Sequence, residues 1–267
     1  MARARSDTVD GPLAGRHAIV TGGGRGIGAA VAESLAALGA TLTLIGRDGD
    51  AVERHAARLA ARYGVEAAGL ACDVADATDV DEAFRRARDR FGDARVLVNN
   101  AGQALSATFA ETTRELWDRM LAVNLTGAYL CARAVLPAMV AARDGRVVNV
   151  ASTAALKGYP RTAAYAAAKA GVLGLTRALA AETARHGVTV NAVCPGYTDT
   201  AMAGTAIDNL VAAGRTPEDA RRALERLNPR GSLITPAEVA STVAWLCSAE
   251  ASAITGQAIA VAAGEVM

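Results

Sequence analysis

Two side chains that could exchange a proton lie one helical turn apart in the second half of the sequence. Tyr165 and Lys169 are four residues apart in an alanine-rich stretch typical of a helix, so their side chains share one helix face. A free tyrosine has a pKa of about 10, and a nearby ammonium stabilises its phenolate form. Tyr165 is therefore a candidate general acid for a carbonyl oxygen, or general base for an alcohol. Ser152, which follows a β-branched run, could hydrogen-bond the same oxygen.

The distribution of basic residues singles out Lys169. Only two of the 28 Lys and Arg residues are lysines, Lys157 and Lys169. A compact ammonium fits beneath a phenolate, whereas the guanidinium of arginine is larger and forms a rigid fork. Lysine at position 169 is therefore expected to have a specific role. Lys157 lies in a predicted loop, where it is either a solvated cation or a substrate contact.

A glycine-rich segment follows the first predicted strand directly and runs into a helical pattern. Glycines allow a tight turn, let the backbone approach a pyrophosphate and let the helix pack closely on the strand. The helix N-terminus offers free N–H groups and a positive dipole to the anion. The segment therefore predicts dinucleotide binding, with contacts from Thr21, Gly22, Gly24, Arg25, Gly26, Ile27 and Gly28.

The residues after the second predicted strand indicate which dinucleotide binds. NAD-binding proteins usually carry an acidic residue there, which holds the ribose hydroxyls of the adenosine. Here the position is Gly46, followed by Arg47, and Arg25 lies on the same side of the predicted pocket. Two guanidinium groups without a carboxylate suit a 2′-phosphate, so NADP(H) is favoured over NAD(H). Arginine is abundant throughout the chain and Asp48 could turn toward the ribose, so NAD(H) stays an alternative.

The elements that must position these residues follow from hydrophobic periodicity. The predicted strands are 17–21, 41–45, 68–72, 96–99, 146–151, 188–193 and 257–261. The predicted helices are 27–38, 51–63, 80–91, 115–142, 162–186 and 237–248. Strands separated by helices indicate βαβ units, because parallel neighbours need a crossover between them. The sequence predicts a single-domain α/β Rossmann fold, with a doubly wound seven-stranded parallel sheet and helices on both faces.

Two segments lie outside this alternation. Residues 1–12 are predicted to be a mobile arm that precedes the domain of residues 13–267. Residues 197–234 have no strand pattern but carry charged helix-like stretches such as 217–227. An insertion of this length is often a lid or binding loop, and a helical excursion without function is the alternative.

Composition excludes several classes of protein. The formal net charge of +1 indicates neither a nucleic acid nor an anionic membrane as partner. No uncharged run reaches the roughly 18 residues that span a bilayer, and no apolar stretch follows the N-terminal arginines as in a secretory signal. The four cysteines and three histidines lack paired spacing, which predicts reduced thiols and no metal site. A cytoplasmic location is therefore expected.

Further motifs make the chain resemble the classical short-chain dehydrogenase/reductase family. The glycine segment has the family's T-G-x-x-x-G-x-G spacing, and the motif N-N-A-G follows the fourth predicted strand. The match covers residues 13–264. It implies that Lys169 also binds the nicotinamide ribose and that Asn124 holds a water that feeds protons toward it. The implied catalytic residues are thus Asn124, Ser152, Tyr165 and Lys169. The resemblance implies further cofactor contacts, which are Asp73, Val74, Asn100, Ala101, Gly102, Tyr165, Lys169, Pro195, Gly196, Thr198 and Thr200. Of these, Asp73 could instead form a turn.

The predicted surroundings of the substrate are mostly small or apolar, which suits a ketone better than a sugar. The motif context looks most like 3-oxoacyl thioester reductases and polyketide ketoreductases. Relatives that act on carrier proteins have arginines where this chain has Pro137 and Ala181, so a CoA thioester or a smaller 3-oxo compound is expected. Where the family has D-G-G after the seventh strand, this chain has Ala-Ala-Gly at residues 262–264, so the resemblance does not extend to the details of this edge of the substrate site. The candidate substrate contacts are Gln103, Ala154, Tyr159 and Tyr197.

The expected function is hydride transfer between a nicotinamide dinucleotide and a ketone or secondary alcohol, with a 3-oxoacyl or 3-hydroxyacyl thioester as the leading substrate. An NAD-dependent catabolic dehydrogenase of a cyclic or aromatic alcohol is one alternative. A non-catalytic dinucleotide sensor is another, although a sensor would have no reason to retain Ser152, Tyr165 and Lys169 together. The resemblance also implies a homotetramer, with the helices predicted at 115–142 and 162–186 at one interface.

Overall fold

A computed structural model describes residues 10–266, so residues 1–9 of the predicted arm lie outside the described residues. Seven strands form one sheet in the order β3-β2-β1-β4-β5-β6-β7, and every pair is parallel. The predicted fold class is confirmed. The strands are β1 His17–Thr21, β2 Thr41–Gly46, β3 Ala67–Ala71, β4 Val96–Asn99, β5 Gly145–Val150, β6 Val188–Pro195 and β7 Ala258–Val261.

Helices cover both faces of the sheet, and capping side chains begin several of them. Asp76, for example, accepts hydrogen bonds from the amides of Thr78 and Asp79 at the start of α3. The helices are α1 Gly26–Ala37, α2 Gly49–Tyr63, α3 Ala77–Phe91, α4 Arg114–Leu121, α5 Gly127–Ala142, α6 Ala163–Thr183, α7 Ala201–Ala212, α8 Pro217–Glu225 and α9 Pro236–Cys247.

The core consists of two apolar layers, one on each side of the sheet. Leu35 of α1 and Val243 of α9 lie in the first layer, which α2 completes. Phe84 of α3 and Met139 of α5 lie in the second layer, beside residues of α6. Because both faces are covered, the central strands are buried over their whole length, as is typical of parallel sheets.

The chain changes direction between β1 and β4. It builds β1, β2 and β3 outward to one edge and then returns to place β4 beside β1, with Ala18 opposite Val96. This is the topological switch point of a doubly wound sheet, and ligands bind in the crevice outside the carboxyl ends of its strands.

The prediction of one continuous helix over 115–142 is wrong, because the structure interrupts it. A π-helical turn, Ala122–Thr126, separates α4 from α5. The whole stretch Arg114–Ala142 is long and apolar enough to cross a membrane by length and composition. Length and composition alone do not distinguish a membrane span from a core helix, and α5 packs against the sheet and α3.

The excursion at 197–234 contains α7 and α8. Its two ends meet in a single parallel bridge between Thr198 and Ile234, where the amide of Asp199 donates to the Ile234 carbonyl at 2.8 Å. The excursion therefore starts and ends beside the carboxyl end of β6. Its role as a lid stays a prediction.

Candidate active site

The turn between β1 and α1 builds an anion site from backbone groups. Gly22 (φ +66°) and Gly26 (φ +55°) have left-handed conformations that favour glycine. A Cβ on Gly28 would lie 2.2 Å from the carbonyl oxygen of Gly22, so glycine is needed for α1 to approach β1 this closely. Arg25 is the N-cap residue of α1, and the first turn has neither a side-chain cap nor an acidic residue. The first amides of α1 are thus available to a pyrophosphate, and the site fits a dinucleotide.

Thr21 and Asn100 join the glycine turn to the end of β4. The Thr21 hydroxyl accepts from the backbone N–H groups of Asn100 and Ala101, each at 3.0 Å. The Asn100 amide nitrogen donates to the Thr21 carbonyl at 2.9 Å and to the Gly22 carbonyl at 3.3 Å. Two motifs about eighty residues apart in sequence therefore meet at the switch point.

The end of β2 presents guanidinium groups, while the nearby carboxylate is held elsewhere. Arg47, which follows Gly46, is exposed, and so is Arg25. Asp48 is the N-cap residue of α2, and its carboxylate accepts from the amide of Ala51 at 2.9 Å. This hydrogen bond directs Asp48 Oδ1 to the start of α2, and contact of Asp48 with a ribose stays a prediction.

Asp73 and Val74 follow β3 at the same edge of the sheet. The Asp73 carboxylate accepts from the amide of Ala75 at 3.0 Å, so the turn-forming role left open by the sequence is present. Val74 is buried, and a Cβ on Gly127 would lie 2.9 Å from its Cγ2. Contact of these two residues with an adenine stays a prediction.

The helix α6 places Tyr165 and Lys169 on one face, as the spacing predicts. The Lys169 ammonium lies 5.8 Å from the Tyr165 ring centroid and donates to the Val150 carbonyl at 2.7 Å. Loss of hydration lowers the pKa of the buried Lys169 to about 8. Burial raises the pKa of Tyr165 to about 12, and the neighbouring Ser152 hydroxyl acts in the opposite direction. At neutral pH, Lys169 is cationic and Tyr165 carries the proton that a general acid must donate.

Ser152 lies directly beyond β5 and begins a short 3-10 turn, Thr153–Ala155. Its Oγ accepts from the amide of Ala154 at 3.1 Å. Because that amide occupies an oxygen lone pair, the hydroxyl proton is free to point toward a ligand. Ser152 can therefore donate a hydrogen bond to the oxygen that Tyr165 protonates.

Asn124 lies in the middle of the π-helical turn and is buried. Its Oδ1 accepts from the amide of Gln103 at 3.2 Å, and its Nδ2 donates to the carbonyls of Gln103 at 2.9 Å and Met120 at 3.0 Å. A Cβ on Gly102 would lie 2.8 Å from Asn124 Oδ1 and 3.5 Å from Lys169 Nζ. The π turn thus brings Asn124 beside Lys169, and such turns occur frequently at functional sites.

A small cavity lies behind Lys169. Its volume is about 10 Å³, room for a single water molecule, and its lining includes Lys169, Asn124 and Asn99. Among the described residues, Asn99 Oδ1 is buried without a hydrogen-bond partner. The lining mixes these polar groups with apolar residues such as Val74 and Val172. Polar partners and an unpaired acceptor are conditions under which a buried water is held.

The residues after β6 return toward the glycine turn. The Thr200 methyl group lies 3.3 Å from the position of a Cβ on Gly26, and the Thr198 hydroxyl donates to the Gly196 carbonyl at 3.0 Å. The predicted cofactor contacts Pro195, Gly196, Thr198 and Thr200 therefore belong to the same crevice as the glycine turn. Their contacts with a cofactor stay predictions.

The predicted substrate contacts differ in what they can offer. The Gln103 side-chain oxygen accepts from Arg119 at 3.0 Å, which leaves the amide nitrogen of Gln103 as a donor. The Tyr159 hydroxyl is bonded to Thr153 Oγ1 at 2.7 Å and to a carboxylate of the protein, so its ring, not its hydroxyl, is what a substrate could meet. That ring packs edge-on against Tyr197, with centroids 6.2 Å apart. Contact of Gln103, Ala154, Tyr159 and Tyr197 with substrate stays a prediction.

The carboxylate bonded to Tyr159 belongs to Glu265, a residue that sequence reasoning missed. Its side chain is 1% exposed and forms an ion pair with Lys157, with Nζ and Oε1 3.2 Å apart. The interpretation of Lys157 as a solvated loop cation is therefore wrong. One sequence signal was available, since Glu265 is the only charged residue after Glu250.

These features define a class of protein. A doubly wound sheet carries an anion-binding glycine turn at its switch point, and a tyrosine, a lysine and a serine meet at the carboxyl ends of its strands. This combination is that of an oxidoreductase that uses a nicotinamide dinucleotide.

Comparison with known proteins gives the family. Residues 22–265 match the family model described as enoyl-(acyl carrier protein) reductase. The chain is 38% identical over 256 residues to the 3-oxoacyl-(acyl-carrier-protein) reductase FabG of Vibrio cholerae serotype O1, covering 96% of this chain and 99% of that protein. It is 40% identical over 246 residues to 2-(S)-hydroxypropyl-CoM dehydrogenase 3 of Xanthobacter autotrophicus, covering 92% and 94%. A crystal structure of an actinorhodin polyketide ketoreductase variant with NADPH matches with a TM-score of 0.89 and 36% identity, covering 94% of this chain and 97% of that one. The chain belongs to the short-chain dehydrogenase/reductase family, as its motifs predict.

Proposed function

We propose that this protein is an NADP(H)-dependent ketoreductase that acts on a 3-oxoacyl thioester carried by CoA. One observation carries the proposal. Ser152, Tyr165 and Lys169 lie together at the carboxyl end of β5, beside the glycine turn. The other tyrosine with an ammonium beside its ring, Tyr159 with Lys157, has its hydroxyl bonded to Thr153 and Glu265, so it is not free to protonate a substrate.

The bound cofactor supplies a hydride to the carbonyl carbon. Ser152 donates a hydrogen bond to the carbonyl oxygen and orients it toward Tyr165. The Tyr165 hydroxyl transfers its proton to that oxygen as negative charge develops there. The Lys169 ammonium then stabilises the phenolate by its charge. In the oxidative direction, the same phenolate accepts the proton of the alcohol.

Asn124 and the small cavity support a route by which Tyr165 regains its proton. A water held between Asn124, Asn99 and Lys169 would connect the buried ammonium to a further proton donor. The role of Asn124 is then to keep that water in place, and its own side chain is fixed by the backbone of Gln103.

The adenosine side of the crevice supports NADP(H). Arg25 and Arg47 are exposed guanidinium groups on the two turns that face the predicted 2′-phosphate, and Gly46 leaves no carboxylate at the end of β2. The Asp48 carboxylate is occupied as the N-cap of α2. The two guanidinium groups thus favour a 2′-phosphate by charge.

The choice of CoA over a carrier protein rests on two helix positions. Pro137 lies in α5 and Ala181 in α6, and the resemblance seen in the sequence implies arginines at these two positions in relatives that act on carrier proteins. Without those cations, an acidic carrier domain has less to bind, whereas a CoA thioester needs only the crevice. We further propose a cytoplasmic homotetramer that forms through α5 and α6, in keeping with the exposed Tyr129 ring on α5.

The test is a kinetic screen with NADPH and NADH against four substrate groups: 3-oxoacyl-CoA, the same acyl group on a carrier protein, cyclic ketones and aromatic ketones. The highest kcat/KM is expected for 3-oxoacyl-CoA with NADPH. Preference for the carrier-bound substrate would contradict the role given to Pro137 and Ala181. Faster NAD⁺-dependent oxidation of cyclic or aromatic alcohols would favour a catabolic dehydrogenase. Tight cofactor binding without any turnover would favour a sensor.

A further inference from the structure

Glu265 follows a tight turn after β7 that folds the chain back toward the active site. Ala263 (φ +49°) and Gly264 (φ +85°) both have left-handed conformations, which alanine rarely adopts. The Glu265 amide donates to the Ala262 carbonyl at 3.0 Å and closes the turn. An alanine in this conformation costs free energy, and such strain persists where the surrounding structure requires the position.

The turn places the Glu265 carboxylate in the protein interior, where its charge is compensated. Oε1 accepts a hydrogen bond from the Tyr159 hydroxyl and lies 3.2 Å from the Lys157 ammonium. The same ammonium lies 4.9 Å from the centroid of the Tyr159 ring. A buried carboxylate is tolerated only with such partners, so Lys157, Tyr159 and Glu265 form one unit, here called the Glu265 cluster.

The Glu265 cluster is bonded to the turn that carries Ser152. The Tyr159 hydroxyl and Thr153 Oγ1 are 2.7 Å apart, and the Thr153 side chain is buried. Within the turn, the Ser152 carbonyl accepts from the amide of Ala155 at 2.9 Å, and the Thr153 carbonyl accepts from the amide of Lys157 at 3.0 Å. Residues 152–157 are therefore held as one hydrogen-bonded unit, and a displacement of Thr153 displaces Ser152 as well.

The other carboxylate oxygen, Oε2, is buried without a hydrogen-bond partner among the described residues and faces the opposite side of the crevice. A Cβ on Gly196 would lie 2.7 Å from Glu265 Oε2, and the neighbouring Tyr197 ring packs on Tyr159. Glu265 thus lies between the turn after β5 and the segment after β6. These two segments carry the predicted substrate contacts Ala154, Tyr159 and Tyr197.

We propose that Glu265 is a positioning residue that sets the place of Ser152 relative to Gly196 by acting through Tyr159 and Thr153. The proposal rests on the proposed function only in that Ser152 must orient a carbonyl oxygen. Reaction rates depend steeply on such orientation, and a misplacement of about 1 Å costs on the order of 100-fold. Glu265 itself touches neither the reacting carbonyl nor the hydride.

The kinetic test compares four variants with a small neutral 3-oxo ester as the probe substrate. Glu265→Ala is expected to lower kcat/KM about 10- to 100-fold, and Glu265→Gln to stay within about threefold of the wild type, because a carboxamide oxygen still accepts from Tyr159. Tyr159→Phe should resemble Glu265→Ala. Glu66→Ala, which removes an exposed glutamate before β3, is the matched control and should leave kcat/KM unchanged.

A double-mutant cycle tests the route of the effect. If Glu265 acts through Tyr159, the Glu265→Ala/Tyr159→Phe double variant loses no more activity than the more impaired single variant. Losses that multiply in the double variant would overturn the proposal, and so would a Glu265→Gln variant as impaired as Glu265→Ala.

A second measurement needs no turnover and so separates this proposal from the proposed function. Hydrogen–deuterium exchange of the amides at residues 154–157 is expected to be about tenfold faster in Glu265→Ala than in the wild type, with exchange in β1 and β4 unchanged. Unchanged exchange at 154–157 would overturn the positioning role even if the wild type reduces every ketone offered. Faster exchange throughout the protein would show a general loss of stability instead and would equally overturn it. A wild type inactive on all ketones, with the local exchange effect present, would contradict the proposed function alone.

Discussion

Replacing Lys169 with methionine is expected to stabilise the folded protein relative to the wild type at neutral pH. This difference in stability should decrease as the pH rises. Burial lowers the pKa of Lys169 from 10.5 to about 8, and this difference corresponds to about 3 kcal/mol of unfavourable free energy in the folded protein. The cost is present in full below pH 8, where the ammonium is charged in both the folded and the unfolded chain. It disappears above pH 10.5, where the amine is neutral in both.

The magnitude at neutral pH also depends on the Val150 carbonyl. Methionine removes the 2.7 Å hydrogen bond from Lys169 to that oxygen, and a hydrogen bond from a charged group contributes about 1.5 to 3 kcal/mol. The two terms nearly offset each other, so Lys169→Met should be between about 0 and 2 kcal/mol more stable than the wild type at pH 7. The pH dependence of the difference in stability is the better test, because it depends less on the strength of this hydrogen bond than the value at pH 7 does.

The assay is urea unfolding of the wild type and Lys169→Met at several pH values between 7 and 10.5, followed by tryptophan fluorescence. Since the unfolded wild type binds more protons than the folded one in this window, its free energy of unfolding should rise with pH relative to the variant. The difference should change by about 3 kcal/mol across the window. A difference that does not vary with pH would refute the reasoning, because Lys169 would then be as well solvated in the folded protein as in the unfolded chain.

Further predictions concern catalysis and the cofactor. Tyr165→Phe should lower ketone reduction by about 10²- to 10⁴-fold while NADPH binding, measured by fluorescence titration, stays within about twofold, and substantial residual activity would contradict the role of its hydroxyl. Arg47→Ala should lower kcat/KM about tenfold with NADPH and little with NADH, whereas equal losses would argue against a 2′-phosphate contact. Gly28→Ala places a Cβ 2.2 Å from the Gly22 carbonyl oxygen, so NADPH binding should weaken by more than about tenfold, and calorimetry showing wild-type affinity would disprove the close packing of α1. The rate of reduction should fall with rising pH above about 8, as Lys169 loses the proton that stabilises the Tyr165 phenolate, and a flat profile to pH 10 would contradict this.

The fold could be predicted from the sequence because each element of a parallel sheet has a strong local signal. The predicted strands 17–21 and 96–99 agree with the observed β1 and β4 at both ends. Strands buried on both faces form continuous β-branched runs, and the helices between them alternate apolar and charged positions. The proximity of the candidate catalytic residues Tyr165 and Lys169 was predictable for the same reason, since a spacing of four on a helix places them on one face.

The π-helical turn at Asn124 could not be predicted by the same reasoning. A periodic pattern from 115 to 142 continues through the turn, because one extra residue shifts the apolar face by too little to interrupt it. In the structure, Asn124 within this turn is bonded to Gln103, which lies outside the helical pattern and gives no local signal for the turn.

The Glu265 cluster lay out of reach for a different reason. Glu265 is more than one hundred residues from Tyr159 and Lys157 in sequence, and the contact depends on how the turn after β7 and the turn after β5 meet in space. Local propensity reports neither a pairing across that distance nor the charge compensation of a buried carboxylate. The surrounding uncharged stretch made Glu265 conspicuous, yet gave no indication of its partner.

The position of β4 beside β1 also has a consequence for how the chain is made. Residues of β1 are synthesised well before their neighbour β4, with β2, β3 and three helices in between. Until β4 arrives, one edge of the fully buried β1 has unpaired backbone groups next to apolar side chains, which is a template for pairing with other chains. Parallel pairing over such a separation is slow, because loop closure precedes the gain in contacts. The nascent protein therefore has its greatest risk of aggregation between the emergence of β1 and the docking of β4, and substitutions that delay this docking should reduce the soluble yield more than their effect on final stability suggests.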